Sequence, residues 1–359
     1  MRNKIICRFV FSFLLISQQG MATVRTVSND PAYPAQFTDI QNAIYSSNPG
    51  DTIYVQGSSN YYSYFSLSFN LTIIGPGFSP QKQDIFKAMI QPAYYVSIGA
   101  GASGSSIQGM YIPGGVQVTG FSVTLSNIQL IRNYIGGLFT SGGSLNLTNW
   151  VIQNNYFDPS GPCINMNGAS VVSNWLVLNN YFRNTNGWSL AYFPSPGTSS
   201  VLIDHNLFAG NGTYYLMNFV SNFSLSNNIF FADYIDNGVN ISNCTYFNNI
   251  TYFLSNNTPW TNGTGNTDGG GNLVNTNPSI VDQSTVQSGI VDLNGNYQVQ
   301  NASALTGASD GTAIGLYGGN ASWTNARMPA FPYIFAITGS PTVPAGGTFN
   351  ISINAKTGY

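Results

Sequence analysis

The hydrophobic pattern of this chain is organised around a short phrase that occurs four times between residues 150 and 230. In each copy an apolar residue is followed two positions later by a second apolar residue. A spacing of two places both apolar positions on one face of a β-strand. The first apolar positions are Trp150, Trp175, Val201 and Phe223, and the second are Ile152, Val177, Ile203 and Leu225.

The phrase recurs after about 22 to 26 residues, which is within the range typical of solenoid proteins. One repeat is too short to bury its own apolar face, and stacking the repeats produces a continuous core. A leucine-rich repeat has a similar period, but it needs several leucine columns and a helix in each repeat, and neither is present. The pattern therefore predicts a parallel stack of about ten β-coils.

A polar pair ends the first strand of each copy and predicts a tight turn before a second strand led by Phe. The pair is Asn-Asn in three copies and His205-Asn206 in the other. Asn tolerates the left-handed backbone region and can hydrogen-bond its own backbone, so it suits such a turn. Identical Asn side chains one coil apart can also bond to each other as a ladder. The predicted ladder residues are Asn155, Asn180, Asn206 and Asn228.

Composition agrees with a β-rich fold and limits the possible partners. The chain contains no Glu, and charged residues make up 6% of it, against roughly 25% in a typical soluble domain. Strand-forming Tyr, Phe, Val, Ile and Thr are abundant. With a formal charge of −2, the chain lacks the basic footprint of a nucleic-acid-binding protein. We therefore expect no nucleic-acid partner, and few cations to hold an anionic polymer.

The first 22 residues are typical of a secretory signal peptide. Basic residues precede an apolar run from Phe9 to Ile16, which is too short to span a bilayer. We expect export to the extracellular space or the cell surface, and no transmembrane segment in the mature chain. Cys163 and Cys244 would remain after cleavage, separated by about three to four coils of ~4.8 Å. That separation predicts no disulfide, because the Cα atoms of a disulfide lie within about 7 Å of each other.

Residues 37–45 have the strongest helical pattern in the chain. Thr38-Asp-Ile-Gln41 matches a capping box, and apolar residues share one face of the predicted helix. The first coil of a parallel stack has an open edge that must be covered. We therefore predict that this helix caps the N-terminal end. Residues 331–359 either cap the last coil or begin a small β module.

Several runs near the two ends resemble one family of secreted bacterial proteins. The runs are Ala35-Gln-Phe-Thr-Asp-Ile-Gln-Asn-Ala-Ile44, Gly50-Asp-Thr-Ile-Tyr-Val-Gln-Gly57 and Ser309-Asp-Gly-Thr-Ala-Ile-Gly-Leu-Tyr-Gly-Gly319. They are similar to segments of Bacteroidetes-type right-handed parallel β-helix proteins with the pectin-lyase-like fold. We predict an all-β chain with a single right-handed parallel β-helix over residues 24–330 and a short N-terminal capping helix. The resemblance gives little information about function, because one fold hosts many activities.

Enzymes of this fold cleave polysaccharides, and three residues invite that interpretation. Asp204-His205 resembles the Asp-His strand of pectate lyases, a family that also needs an Arg base and an acidic cluster for Ca²⁺. Calcium takes six to eight oxygen ligands, and no second carboxylate is in phase with Asp204. Asp158 and Arg183 follow the repeated Phe and should pair side by side as a surface salt bridge. If the chain is an enzyme, Asp204, His205 and Arg183 are its candidate catalytic residues, with Ca²⁺ as cofactor.

A second phrase, Asn266-Thr-Asp268-Gly269, is similar to a motif of polygalacturonase-type hydrolases. The other motifs of those enzymes do not occur here. Inverting hydrolysis needs two carboxyl groups roughly 6.5 to 9.5 Å apart, and Asp268 has no evident partner. We interpret the phrase as a plain turn, and we predict no metal site.

Aromatic residues in loops favour a binding function. The stretch from Arg183 to Ser200 interrupts the repeat and contains the predicted carbohydrate-binding residues Trp188, Tyr192 and Phe193. Further aromatic platforms are offered by Tyr61, Tyr62, Tyr64, Tyr94 and Tyr95. The leading hypothesis is a non-catalytic protein that binds an extracellular polysaccharide or cell-surface glycan, or serves as a rigid structural module, without a cofactor. The alternatives are a polysaccharide lyase or glycoside hydrolase, and an adhesin stalk without a ligand.

Overall fold

A computed structural model describes residues 22–78, 86–184, 191–192, 200–210, 217–218, 220–232, 241–323, 332–339 and 351–357. These residues form a parallel β-solenoid of about eight turns with few helices. The solenoid has fewer turns than the ten expected, with eleven strands in its longest sheet and seven in each of two others.

The strands and helices are numbered in chain order. The first fifteen strands are β1 (Val24–Val27), β2 (Thr52–Val55), β3 (Ser66–Leu67), β4 (Thr72–Ile74), β5 (Val96–Ile98), β6 (Ser106–Gln108), β7 (Tyr111–Ile112), β8 (Val116–Phe121), β9 (Thr124–Ser126), β10 (Gln129–Ile131), β11 (Tyr134–Ile135), β12 (Leu138–Gly143), β13 (Leu145–Thr148), β14 (Val151–Gln153) and β15 (Tyr156–Phe157). The remaining strands are β16 (Ile164–Asn165), β17 (Ala169–Ser173), β18 (Leu176–Leu178), β19 (Tyr181–Asn184), β20 (Ala191–Tyr192), β21 (Val201–Asp204), β22 (Leu207–Gly210), β23 (Met217–Asn218), β24 (Phe223–Ser226), β25 (Ile229–Ala232), β26 (Thr245–Phe247), β27 (Ile250–Tyr252), β28 (Thr267–Gly270), β29 (Pro332–Gly339) and β30 (Ile351–Thr357). The helices are α1 (Ile40–Tyr45), α2 (Gln283–Ser288), α3 (Ala302–Leu305) and a 3₁₀ turn at Pro259–Thr261.

Three sheets form the main faces of the solenoid. The long sheet has eleven strands in the order β1-β2-β4-β6-β10-β14-β18-β21-β24-β26-β28. The sheet that we call the tyrosine sheet contains β7, β11, β15, β19, β22, β25 and β27, and the sheet that we call the uncharged sheet contains β3, β5, β8, β12, β16, β20 and β23. A three-stranded sheet, β9-β13-β17, lies between the uncharged and long sheets along the chain, and all these pairs are parallel.

The register places the repeated residues in columns, as the phrase predicts. Ile152 pairs with Val177, which pairs with Ile203 on the next strand of the long sheet. The rings of Trp150 and Trp175 stack with centroids 4.9 Å apart. The repeated phenylalanines form a second buried stack with ring centroids about 5 Å apart, and its members are Phe157, Phe182, Phe208 and Phe230. Stacked identical side chains therefore fill the core at the coil spacing.

A ladder of buried asparagines occupies the corner between the long and tyrosine sheets. Asn155 donates its side-chain amide to the Oδ1 atom of Asn180 at 2.9 Å and to the carbonyl of Leu130 at 2.8 Å. The same pair of bonds repeats on successive coils, so backbone groups that the turn leaves unpaired are satisfied within the core. The ladder members are Asn133, Asn155, Asn180, Asn206, Asn228, Asn249 and Asn272.

The N-terminal helix is shorter than the predicted one. Helix α1 begins at Ile40, and Asp39, rather than Thr38, caps it by accepting a hydrogen bond from the Asn42 amide at 3.0 Å. The capping-box prediction was wrong because Phe37 is extended. Its amide donates to the Thr26 carbonyl, and its own carbonyl accepts from Ser28, so it pairs with the edge of β1. The buried face of α1 consists of Ile40, Ala43 and Ile44.

A segment that follows the solenoid returns along its outside. The last parallel strand, β28, ends at Gly270, and residues 278–323, which we call the strap, pack on the outward face of the tyrosine sheet. A second apolar core lies between the two, separate from the core inside the coils. The strap contributes Ile280, Val286, Tyr297, Val299, Ala304, Ala308, Ile314, Leu316 and Trp323 to it. Strands β29 and β30 pair as an antiparallel hairpin.

Candidate functional site

The strap is attached to a column of residues with left-handed backbone. Asn154, Asn179, His205 and Asn227 have φ values between 50° and 56° and each directly precedes a ladder asparagine. The side-chain amide of Asn179 donates to the carbonyls of Leu316 and Gly318 at 3.0 and 2.9 Å. The other bonds of this column run from Asn248 to the Gly307 carbonyl, from Asn227 to the Ser309 hydroxyl and from Asn154 to the Ala321 carbonyl. The strap therefore runs back toward the N-terminal coils.

His205 occupies the strap-facing column, and not the ladder, which Asn206 continues. Its Nδ1 atom lies 2.8 Å from Asp204 Oδ2, and its Nε2 atom lies 3.4 Å from the Thr312 hydroxyl and 3.9 Å from Asp310 Oδ1. The imidazole is 2% exposed. Both neighbours on the far side belong to the strap, so this histidine joins the strap to the solenoid.

The carboxylates beside His205 are held in their charged form. Burial alone would raise the pKa of Asp204, but hydrogen bonds from His205, Ser226 and Asn227 and the charge of His205 outweigh it, so the pKa is lowered. At Asp310, desolvation would likewise raise the pKa, but hydrogen bonds from Thr312 outweigh it, so the pKa is lowered. Asp204 accepts from the Ser226 hydroxyl at 2.6 Å and from Asn227 at 2.8 Å. Its Oδ1 atom thus bonds to the next coil, and its Oδ2 atom lies against His205.

Two glycines of the strap lie against the His205 ring. A β-carbon on Gly318 would lie 2.6 Å from the ring and 1.7 Å from the Ala313 carbonyl oxygen, and one on Gly319 would lie 3.0 Å from Nδ1. Contacts this close leave no space for a side chain between the strap and the imidazole. The lyase alternative requires the Asp204–His205 pair in an open groove, but the strap covers His205, while Asp204 is 22% exposed.

Arg183 forms the expected pair with Asp158, and it also contacts the strap. Its guanidinium bonds to Asp158, and its Nε atom donates to the Gly289 carbonyl at 2.6 Å. Asp158 also accepts from the Tyr134 hydroxyl at 2.5 Å. Both charged side chains are 13% exposed, so the pair lies under the strap and is more buried than the predicted surface salt bridge. Arg183 is in β19 and His205 in the corner before β22, and each has its own structural partners.

Asp268 lies on the exposed strand β28. Its Oδ1 atom accepts from the Gly270 amide at 2.8 Å and from the Asn272 side chain at 2.6 Å. Both partners are local, but the prediction of a plain turn was wrong, because Thr267–Gly270 forms strand β28, in which Asp268 aligns with Tyr246 of β26. Over the described ranges, no three His, Cys, Asp or Glu residues come together in a group that could hold a metal ion.

The predicted carbohydrate-binding residues are largely outside the described residues. Trp188 and Phe193 are both outside them, and Tyr192 is described only by its backbone. In β20, Tyr192 pairs with Asn165 of β16 and with Asn218 of β23. Tyr192 therefore belongs to the uncharged sheet, in the same register column as Phe139 of β12, which is the residue aligned with Asn165.

Three of the other tyrosines form an exposed cluster at the N-terminal end of the uncharged sheet. Their exposed fractions are between 44% and 55% for Tyr64, Tyr94 and Tyr95. Tyr61, which is 53% exposed, lies near Tyr111 of the tyrosine sheet. Tyr64 and Tyr94 have ring centroids 5.6 Å apart with a 40° tilt. Tyr95 meets Phe139 edge to face at 4.8 Å. We call Tyr64, Tyr94, Tyr95 and Phe139 the aromatic cluster.

Tyr62 is a buried structural residue and differs from its neighbours. It is 2% exposed, and its hydroxyl donates to the Gln56 carbonyl at 2.8 Å. Alternation explains the difference, because Tyr62 points into the coil where Tyr61 does not. Phe139, by contrast, was not recognised from the sequence. Its signal was its place as an apolar residue in an outward column of polar residues.

No protein-family model, curated protein or solved structure matches this chain. In the part of the chain that the structure describes, no helix is long and apolar enough to cross a membrane. Cys163 and Cys244 are both free and buried, and burial raises the pKa of both thiols, that of Cys244 to about 11. Neither thiol is therefore activated as a nucleophile.

Proposed function

We propose that this protein is a non-catalytic β-solenoid that binds a glycan through the aromatic cluster. The observation that carries the proposal is the grouping of exposed tyrosines on one face, since Tyr64, Tyr94 and Tyr95 are each about half exposed. Aromatic rings exposed in a group are costly to hydrate and are typical of interaction sites. Sugar rings have apolar faces that stack on such rings, and their hydroxyl groups bond to neighbouring polar side chains.

The contacts of the three candidate catalytic residues support a non-catalytic function. His205 lies beneath the strap and is bonded to Asp204, whose other oxygen accepts from Ser226 and Asn227, and Arg183 bonds to Asp158 and to the strap backbone. A general base must reach the proton that it removes. Residues held beneath a packed segment, with their polar atoms already bonded, are poorly placed for that task.

The proposal includes export of the chain to the cell surface or the medium, where polysaccharides are available. It rests on the signal-peptide pattern of residues 1–22. Membership of the pectin-lyase-like family and a right-handed coil remain part of the same proposal, and the parallel solenoid supports both. The proposed partner is an extracellular polysaccharide or a cell-surface glycan, and no cofactor is required.

Affinity electrophoresis of the purified chain in gels that contain soluble polysaccharides tests this proposal. We expect retardation in at least one polymer, and at least a tenfold loss of affinity when Tyr64 and Tyr94 are both replaced by Ala. Loss of two stacking platforms at about 1 kcal/mol each corresponds to such a change. The matched control is Tyr45→Ala, which removes a tyrosine that is 76% exposed on α1.

The proposal fails if the protein migrates without retardation in every polymer-containing gel. It also fails if the double variant binds as tightly as the parent chain. Circular dichroism of both variants separates lost binding from lost folding. The exposed positions of these side chains predict unchanged spectra.

A further inference from the structure

The seven strands of the uncharged sheet contain no acidic or basic residue. Their sequences are Ser-Leu, Val-Ser-Ile, Val-Gln-Val-Thr-Gly-Phe, Leu-Phe-Thr-Ser-Gly-Gly, Ile-Asn, Ala-Tyr and Met-Asn. Buried residues alternate with half-buried ones in β3, in β5 and in the first four residues of β8. The aligned half-buried column reads Ser66, Ser97, Gln117, Phe139 and Asn165. The outward surface beside the aromatic cluster thus consists of hydroxyl, amide and aromatic groups.

The cations of the described coils lie elsewhere. Lys87 lies over the ring of Tyr111 on the tyrosine sheet, 4.5 Å from its centroid. Arg183 is held by Asp158 and the strap on the same sheet. Arg25, on the first strand of the long sheet, lies 3.5 Å from Asp51. Arg132 precedes the tyrosine-sheet strand β11. An acidic sugar on the uncharged sheet would therefore lose hydration without gaining a countercharge, which is unfavourable.

The register also sets a direction for the ligand. Ser66 pairs with Ser97, so Tyr64 and Tyr95, each two residues earlier, occupy equivalent positions on adjacent coils. Coils are separated by ~4.8 Å. In the column of Tyr64 and Tyr95 the next coil has Gly115, and the parallel column two residues later contains Gln117, Phe139 and Asn165. Aromatic and polar groups of these two columns therefore extend along the stack axis.

A glycine beside the Phe139 ring leaves the backbone there without a side chain. A β-carbon on Gly115 would lie 3.2 Å from the Phe139 ring and 2.5 Å from the Gly137 carbonyl oxygen. The backbone of Gly115 is in the left-handed region at φ 99°, where a side chain would also be strained. The Phe139 ring can therefore lie close to the backbone on this part of the sheet.

From these observations we infer that the ligand is an uncharged polysaccharide chain that lies along the stack axis of the uncharged sheet. The inference rests on the proposed glycan-binding function and adds the ligand's charge and direction. Stacking on Tyr64, Tyr94 and Tyr95 supplies the main attraction. The amide groups of Gln117 and Asn165 can each donate to and accept from sugar hydroxyls, which suits a neutral chain.

The test uses three polymer probes: a soluble neutral β-glucan, a neutral mannan and polygalacturonate as the acidic polymer. Binding is measured by affinity electrophoresis and calorimetry at roughly 20 and roughly 500 mM NaCl. We expect binding to at least one neutral polymer, less than a twofold change in affinity with salt, and none to polygalacturonate. Binding to polygalacturonate alone would overturn the inference and leave glycan binding intact. Binding to none of the three would count against the proposed function itself.

A charge-introducing variant sharpens the test. Gln117→Lys places a cation in the middle of the outward column, and we expect it to create salt-sensitive binding to polygalacturonate. The matched control is Gln129→Lys, which adds the same charge at an exposed position of the long sheet. Equal gain in both variants would show that net charge, and not the surface beside the aromatic cluster, controls acidic-polymer binding, and would overturn the assignment of the site.

Discussion

The side-chain amide of Asn154 donates a hydrogen bond to the backbone carbonyl of Ala321 at 2.7 Å, although 167 positions separate them in the sequence. This contact lies at the far end of the strap, which leaves the last coil and returns over the tyrosine sheet. Asn154 and the equivalent residues on other coils therefore have two tasks. Their backbone makes the left-handed turn, and their side chains hold the strap.

Replacing Asn179 with Gly separates these two tasks. Glycine keeps the left-handed backbone at φ 50° but loses the bonds to the Leu316 and Gly318 carbonyls. We expect a loss of about 2 kcal/mol in the free energy of unfolding. The control is Asn174→Gly on the same coil, where φ is 55° and the side chain is exposed. Urea unfolding curves give the free energy of unfolding of both variants. Equal losses of stability would contradict a role of the Asn179 side chain in holding the strap.

Gly318→Ala should loosen the strap at His205. The new methyl group would lie 1.7 Å from the Ala313 carbonyl oxygen and 2.6 Å from the imidazole, so the strap must move. We expect destabilisation of more than about 2 kcal/mol. Hydrogen exchange should become faster in residues 307–321 first. Gly161→Ala, with no atom within 4 Å of the added carbon, serves as the control, and unchanged exchange rates in the strap would contradict the packing described.

Asn180→Ala removes a central member of the ladder. The substitution leaves the Ile152 carbonyl and the Asn155 amide without their partners inside the core. Each buried group left unpaired costs about 1 to 3 kcal/mol, so we expect a loss of at least ~3 kcal/mol in the free energy of unfolding.

The control for the ladder is Asn272→Ala at its half-buried last member, where water can replace the lost bonds. We expect that variant to lose less than half as much stability in the same thermal or urea titration. Equal losses at the two positions would show that the ladder is no more stabilising in the core than at its end.

Asp204 makes a pH-dependent contribution to stability. Because its folded pKa is lowered from an ordinary value of 3.8, its contribution is complete well above that value and disappears as the pH falls through the folded pKa. Asp204→Asn should therefore be less stable than the parent chain by about 1 to 3 kcal/mol near neutral pH. The difference should shrink below about pH 4. A difference in unfolding free energy that stays constant down to about pH 3 would contradict this account.

The repeated phrase was sufficient to predict the parallel stack, the columns in register and the asparagine ladder. Those features are local and recur, so four copies identify them. The ladder members Asn133, Asn249 and Asn272 were missed, because the residues around them deviate from the phrase while the ladder bonds do not. The start of α1 was misplaced because the pairing of Phe37 with β1 overrode the capping pattern.

The strap could not be predicted by the same means, because it has no repeat and its contacts join distant parts of the chain. A signal was nevertheless present. The positions next to the repeated Phe are also apolar, namely Tyr156, Tyr181, Leu207 and Ile229. Parallel strands that are apolar on both faces are typically buried on both. That pattern indicates a cover on the outside of the tyrosine sheet, and it would have argued against an open site at His205.

The central claim is that the protein binds a glycan without cleaving it, and one incubation tests it most directly. Purified residues 23–359 are mixed with each polysaccharide, with and without roughly millimolar Ca²⁺. Gel filtration then gives both the length of the polymer and the elution position of the protein. The account predicts co-elution with a neutral polymer of unchanged length and no new reducing or unsaturated ends. Shortened polymer, abolished by replacing Asp204, His205 or Arg183, would contradict it.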